Sequence, residues 1–283
     1  MPELPEVETV VRQLGPVVEG KQVLCFHVFD PRLNLPGPEK VGGRRLKRIE
    51  RLGKQIIMGL EKPGHEKDTV YLVIHLRMTG RLIWQDQYSL PHMKDNPSDQ
   101  IRLQAAPVRA CLVFEDGVLC FKDVRRFGTI SMTATREEAI PAGVDPLSPR
   151  LTARRLEALI AGSRTHIKTW LLRQDKLAGV GNIYASECLF LAGIHPAREA
   201  GSLGRDECSR LLRFIRKVLR TAIEAGGTTF STFQNVYGGV GSYQHNLKVY
   251  DHEGDSCPGC GRSIQRIVQA QRSTFLCPHC QSM

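Results

Sequence analysis

Four cysteines near the end of the chain constrain it more than any other feature. Cys257-Pro-Gly-Cys260 and Cys277-Pro-His-Cys280 follow the spacing C-x2-C-x16-C-x2-C. Each pair clamps two corners of a tetrahedron, and two pairs close a zinc site. Four thiolates leave no open position, so such a site is structural rather than catalytic. The intervening runs, Ser263–Val268 and Arg272–Leu276, fit two strands of a hairpin. A pair of disulfides is the competing reading. The total of nine cysteines is odd. The opening Met1-Pro-Glu-Leu-Pro-Glu6 has no basic or apolar stretch of a secretory signal. The expectation is therefore one zinc on four cysteines, in a cytoplasmic chain with reduced thiols. Cys25, Cys111, Cys120, Cys188 and Cys208 sit mostly in apolar runs and read as small core residues. His279 reads as a surface residue between the last two ligands.

At roughly 150 residues per domain, a chain of 283 predicts two domains plus this appendage. Thirty-nine Lys and Arg against 29 Asp and Glu leave a net charge of +10. The excess is concentrated in residues 150–226 and in the tail. That balance points to a polyanionic partner, although a merely solvated basic surface explains it equally well. The longest apolar run, Cys188–Ile194, is far short of the ~20 residues that a membrane helix needs, so no membrane partner is expected.

The pattern of apolar residues divides the chain. Val7, Val10, Val11 and Leu14 form one stripe of a helix over 4–15, with Gly15-Pro16 as its stop. From Lys21 to about Ser131 short β-rich runs alternate with turns: Gln55–Leu60, Val70–Leu76, Arg81–Trp84, Ala110–Phe114 and Val118–Phe121. That is the texture of a sandwich or barrel. Pro141–Arg150 reads as a linker. Helices follow from Thr152 to about Ala161, over Ile167–Arg173, over Asn182–Leu191 and over Arg205–Ala225. Gly226–Asn246 is a long polar loop, of the kind that is usually functional or disordered. The fold class is α+β, in three parts: an N-terminal domain over 1–140, a helical domain with the loop over 141–246, and a zinc hairpin over 247–283.

Three segments carry chemistry. Loss of Met1 frees the secondary amine of Pro2, which can attack an electrophilic carbon and form an iminium. Glu3 beside it can move protons. Taken alone, Pro2 and the acids that follow it are also an ordinary helix start. Lys176-Leu-Ala-Gly-Val-Gly-Asn182 precedes a helix, and its glycines let backbone N–H groups approach a phosphate. Without a following Gly-Lys-Ser/Thr it is no Walker loop. Arg125-Arg126-Phe127-Gly128 places two bases and an aromatic ring on a turn, able to wedge between stacked bases or simply to pack.

Together these residues are similar to a known family. Pro-Glu-Leu-Pro-Glu-Val-Glu-Thr at 2–9, Gly-Val-Gly-Asn-Ile-Tyr-Ala at 179–185, Gly-Gly-Thr-Thr at 226–229 and Gln-Arg-Ser-Thr-Phe at 271–275 occur in that order in bacterial formamidopyrimidine-DNA glycosylases. The resemblance runs along essentially the whole chain. It implies an N-terminal helix with a two-sheet β-sandwich, then a helix–two-turn–helix domain with a C-terminal zinc β-hairpin, and DNA held in a cleft between them. It implies a monomer that excises oxidised purines such as 8-oxoguanine and formamidopyrimidines from duplex DNA and cleaves the strand, abasic sites included. It also implies roles. Pro2 attacks C1′ and Glu3 donates a proton. Lys54 is the proton donor in β-elimination, and Arg272 binds phosphate and assists δ-elimination. Met78, Arg125 and Phe127 fill the gap left by the extruded base. Lys168, Asn182 and, by a weaker match, Arg164 bind phosphate.

Two stretches depart from the family pattern. Asp123 is followed by Val124, where the family usually reads Asp-Pro-Arg-Arg-Phe-Gly, so the turn loses a fixed φ. Ala106-Pro-Val-Arg109 replaces a Lys-His-Asp-His run, which leaves the phosphate contact of the first histidine to Arg109. A catalytically silent binder of damaged DNA is disfavoured by Pro2, Glu3 and Lys54 occurring together. A pyrimidine-preferring relative of the endonuclease VIII type is disfavoured by Leu4, where that branch has glycine.

Overall fold

The computed structural model describes residues 1–86, 108–229 and 235–283. Two compact units emerge. The first holds Met1–Ile140 together with Gly226–Gly241, and the second holds Pro141–Ala225 with Ser242–Met283.

The first unit is one helix with two antiparallel sheets. Helix α1 covers Leu4–Val18 and buries Leu4, Val7, Val10, Leu14 and Val18. It runs three residues past the expected stop. Proline's fixed φ is itself helical, so Pro16 forfeits only the hydrogen bond to Arg12, and burial of Val18 outweighs that loss. The strands are β1 (Val23–Val28), β2 (Arg45–Leu52), β3 (Gln55–Lys62), β4 (His65–His75), β5 (Arg81–Asp86), β6 (Val108–Phe114), β7 (Gly117–Lys122) and β8 (Thr129–Thr133). They pair in the orders β1-β6-β7-β5 and β2-β3-β4-β8. Side chains alternate across a strand. Ile56, Met58 and Leu60 of β3 therefore face one core with Leu72, Ile74, Leu82, Leu112, Leu119 and Phe121. Their neighbour Ile57 faces a smaller cluster with Val73 and Ala139. Cys111, Val113, Val118 and Cys120 make a further cluster on the other face of β6 and β7. Burial on both faces is why these strands read as continuous apolar runs.

The second unit is helical. Helix α2 (Ala153–Ile160) starts at Thr152, whose hydroxyl accepts the Arg155 N–H at 3.1 Å. Helices α3 (Ile167–Leu171), α4 (Asn182–Ala192) and α5 (Arg205–Glu224) follow. Helix α4 is buried almost all round, and α5 buries one stripe from Cys208 to Ile223. The hairpin β9 (Gln265–Gln269) and β10 (Arg272–Leu276) closes the chain. Glu187 of α4 fastens the segment leading to it. Its carboxylate accepts the N–H groups of Lys248, Val249 and Tyr250, each at 2.9 Å.

The polar loop after α5 divides differently from the expectation. Residues Gly226–Gly241 belong to the first unit, where the Thr228 N–H donates to Glu6 and the Val236 N–H to Gln13. No helix among the described residues is long and apolar enough to cross a membrane.

Candidate active site and nucleic-acid interface

Pro2 and Glu3 lie at the N-terminus of α1. Glu3 is the N-cap residue and only 2% exposed, while Pro2 beside it is buried. The Glu3 N–H donates to Glu6 Oε2 at 2.8 Å, one half of a capping box. Glu6 Oε1 accepts the Thr228 N–H at 2.7 Å. One buried carboxylate thus joins the helix start to the Gly226-Gly-Thr-Thr229 segment. A Cβ on Gly227 would lie 3.0 Å from Glu6, in a backbone conformation with φ of +83°. Glycine is required there by space and by φ together.

Lys54 comes from the two-residue turn between β2 and β3. Gly53 takes φ of 62° at the first turn position, as a tight hairpin needs. Arg51, just before it, donates to the Gly53 carbonyl at 3.1 Å and to Glu8 Oε2 at 2.8 Å. Burial raises the proton affinity of Glu8, but Arg12 and Arg51 outweigh it and hold the carboxyl below its usual range. The turn is thereby tied to α1, with Lys54 only 6% exposed. His75 stands opposite Gln55 in the next strand. Burial, helped by the charges of Arg77 and Lys54, pushes its imidazole down to about 4. It is a neutral histidine beside a cation. The sequence carried no signal for it beyond one histidine ending an apolar run.

Arg125 and Phe127 project from the turn between β7 and β8. Phe127 is 53% exposed and lies under the Arg125 guanidinium, 4.8 Å from its ring centre. Met78 is half-buried in the turn after β4. Gly128 ends this turn because a Cβ there would come within 2.6 Å of Phe121.

Arg109 requires a correction. It is 3% exposed and does not offer its guanidinium to a phosphate. It donates to Asp30 Oδ2 at 2.7 Å, to the Gly128 carbonyl at 2.6 Å and to Asp123 Oδ2 at 3.4 Å. A buried guanidinium needs such partners, and β6 points it inward to them. Ala106 and Pro107, which complete that departure, lie outside the described residues.

In the second unit Lys168, Asn182 and the hairpin meet. Lys168, expected to bind phosphate, departs from that expectation as Arg109 does: its side chain is fully buried and its ammonium faces protein acceptors. Its ammonium donates to Asn182 Oδ1 at 2.6 Å, Thr274 Oγ1 at 2.7 Å and the Ser273 carbonyl at 2.8 Å. The Asn182 amide also donates to Ser273 O at 3.0 Å. Gln174 shapes the turn before α4 by accepting the Gly179 N–H at 2.9 Å and donating to the Val180 carbonyl at 2.9 Å. Arg272 is exposed at the start of β10, after a tight turn in which Ala270 and Gln271 both take positive φ, 45° and 60°. Arg164 is exposed on the segment before α3.

The four cysteine sulfurs lie within 4.8 Å of one another. Cys257 and Cys280 are 3.8 Å apart, and Cys260 and Cys277 are 3.5 Å apart. A tetrahedral site with bonds of ~2.3 Å needs sulfurs about 3.8 Å apart, so the residues fit zinc. The Gly259 and Cys280 N–H groups approach Cys257 and Cys277 sulfur at 3.4 and 3.5 Å. Burial nevertheless pushes the Cys257 thiol up, while at Cys277 burial is overcome by backbone N–H contacts and the neighbouring cysteines, which bring the thiol down to about 7. Gln281, accepting from the Cys277 N–H and donating to the Ile194 carbonyl, locks the second knuckle to the end of α4.

Comparison with known proteins covers the whole chain. Residues 1–130 match the formamidopyrimidine-DNA glycosylase N-terminal domain and residues 142–234 the formamidopyrimidine-DNA glycosylase H2TH domain. Residues 254–282 match a zinc finger found in FPG and IleRS. A formamidopyrimidine-DNA glycosylase of Cereibacter sphaeroides is 40% identical, covering 99% of this chain and 100% of its own. The FPG protein of Thermus thermophilus superposes with a TM-score of 0.84 at 37% identity, covering 99% and 98% of the two chains. A Lactococcus lactis FPG variant bound to Fapy-dG-containing DNA superposes with a TM-score of 0.83 at 31% identity over all of both chains.

Proposed function

The chain belongs to the formamidopyrimidine-DNA glycosylase family, and from that premise we propose that it removes oxidised purines from duplex DNA and then cleaves the strand. Its class is that of a base-excision repair DNA glycosylase. The observation that carries the finer reading is the start of α1, where a carboxyl almost shut off from water adjoins the residue whose nitrogen becomes a free amine once Met1 is removed. The positive end of the helix disfavours a proton on that amine and leaves its lone pair free for attack.

The proposed sequence begins with attack of the Pro2 nitrogen on C1′. The bond from C1′ to the base breaks, the base taking up the proton that the Pro2 nitrogen sheds, and Glu3 supplies a proton to O4′ as the sugar ring opens to an iminium. Loss of a proton from C2′ then expels the 3′ phosphate, with Lys54 as proton donor. A second elimination expels the 5′ phosphate, assisted by Arg272. Water releases Pro2 from the iminium. The base must first leave the stack, and unstacking costs a few kcal/mol. Met78, Arg125 and Phe127 are proposed to fill the vacated space. Asn182, with the Lys168 charge behind it, and the exposed Arg164 and Arg272 are proposed to hold phosphates. Bound zinc would hold the hairpin that presents Arg272 and takes no part in the reaction. Complexes of the Lactococcus lactis protein with Fapy-dG-containing DNA and with abasic DNA support the substrate class.

Borohydride trapping tests the reading. With Met1 removed, the protein is expected to form a covalent adduct on duplex DNA containing 8-oxoguanine. An adduct formed equally well by protein that retains Met1 overturns the Pro2 assignment and turns attention to Lys54. No adduct from either form leaves a binder of damaged DNA.

A further inference from the structure

Resting on the reading that Met78, Arg125 and Phe127 enter the duplex, we infer that Asp30, Thr79, Arg109, Asp123 and Arg126 form one positioning network for all three.

The network hangs on two buried carboxylates. Asp123 is fully buried at the first position of the wedge turn. Its Oδ2 accepts the Gly128 N–H at 2.7 Å, so one carboxylate holds both ends of the turn. Its Oδ1 accepts the Thr79 hydroxyl proton. The same hydroxyl oxygen accepts the Arg125 N–H at 3.2 Å. Thr79 follows Met78 directly, so Thr79 ties the Met78 turn to the Arg125–Phe127 turn.

Asp30 anchors the other side. Its Oδ2 accepts Arg126 Nε at 2.8 Å and Arg109 Nε at 2.7 Å, and its Oδ1 accepts Arg126 Nη2. Hydrogen bonding from Arg126 holds the Asp30 carboxyl far below the usual carboxylate range against the opposing effect of burial, with Arg109 adding to it. Arg109 then bridges Asp30 to Asp123 and to the Gly128 carbonyl. Two guanidinium groups meet two carboxylates, so the buried Asp30, Asp123 and Arg109 are balanced by Arg126 at the exposed edge.

The backbone explains why support is needed. Arg126 takes φ of 59°, a left-handed conformation that an arginine holds only where its surroundings impose it. Proline at 124 would pre-set the second position of this turn. Val124 does not, and its side chain is 72% exposed, with little packing to stiffen the turn. Arg109 and the Arg126–Asp30 pair therefore fix the turn from beneath.

The experiment uses full-length protein and duplex DNA with 2-aminopurine beside the lesion, whose fluorescence rises as the base is extruded. Arg126→Gln removes the surface-side partner of Asp30, and Asp30→Asn removes the anchor. Both are checked for folding by melting temperature, and Arg126→Gln carries the test if Asp30→Asn does not fold. Extrusion and excision from duplex are expected to slow by about 10- to 100-fold, the scale of a ~1 Å misplacement. Cleavage of a single-stranded abasic substrate, which needs no extrusion, is expected to stay at the parent rate. Val124→Pro is expected to leave the parent unchanged and to restore extrusion in Arg126→Gln. Melting temperatures of Arg126→Gln with and without Val124→Pro separate repair of the turn from a general gain in stability. Folded Arg126→Gln with parent extrusion, or no rescue by Val124→Pro, overturns the inference. Phe127→Ala separates the two layers: if it leaves extrusion unchanged, the wedge reading itself fails and the network's proposed purpose fails with it.

Discussion

Lys168→Met removes a charge from the interior of the second unit while nearly preserving volume. Three acceptors lose a donor: Asn182 Oδ1 at 2.6 Å, Thr274 Oγ1 at 2.7 Å and Ser273 O at 2.8 Å. They do not lose equally. Ser273 O keeps the Asn182 amide at 3.0 Å, and the Thr274 hydroxyl still donates to Gln269 Oε1 at 3.0 Å. The acceptors are neutral, so the cost is that of leaving a buried acceptor without its donor, about 1–3 kcal/mol, and release of the ammonium from burial offsets part of it. A net loss of about 1–2 kcal/mol follows, or about 2–8 °C in melting temperature at ~2–4 °C per kcal/mol for a chain of this size. Asn182→Asp is the counterpart. It sets a carboxylate against the ammonium, so melting should hold or rise. DNA affinity should nevertheless fall by about 10-fold, with a salt slope shallower by about one unit, as when one phosphate contact is lost. Calorimetry and fluorescence anisotropy across a salt series measure the two effects. Lys168→Met melting within ~1 °C of the parent refutes the strut argument, since charge-assisted bonds at these distances are worth more than that.

Glu3→Gln keeps shape and removes the acid. Excision of 8-oxoguanine should fall by about 10²–10⁴, with binding and cleavage of a pre-formed abasic site affected far less; equal loss on both substrates would contradict the assigned step. Cys260→Ser should abolish stoichiometric zinc by elemental analysis and strip hydrogen-exchange protection from residues 257–283, because zinc binding in isolated fingers contributes about 10–16 kcal/mol. Protection in the first unit should remain. The depressed histidine gives a pH signature. His75 titrates near 4 folded and 6.5 unfolded, so its contribution is present above 6.5 and lost as pH falls toward 4. The full loss is about 3 kcal/mol, and His75→Asn should remove that part of the acid slope in denaturant titrations. An unchanged slope would place the imidazole in water.

The residues whose partners are near in sequence, or whose role is set by spacing, were legible from the chain alone. The cysteine knuckles, the Thr152 cap and the apolar stripes of α1 and α5 are of this kind, because metal geometry and the helical repeat act over a few residues. The strand runs were legible as runs, but not their pairing into two sheets, which depends on segments far apart in the chain. Charged side chains were the least legible. Arg109 reads as a surface base, yet its acid lies 79 residues away, and Lys168 finds a carbonyl 105 residues away. The loop over Gly226–Asn246 reads as part of the helical domain, yet its Gly226–Gly241 portion belongs to the first unit, with a Thr228–Glu6 bond 222 residues distant in sequence. Local pattern records which face of an element avoids water. A buried charge is decided by the partner that desolvation forces upon it, and only the tertiary structure brings that partner within reach.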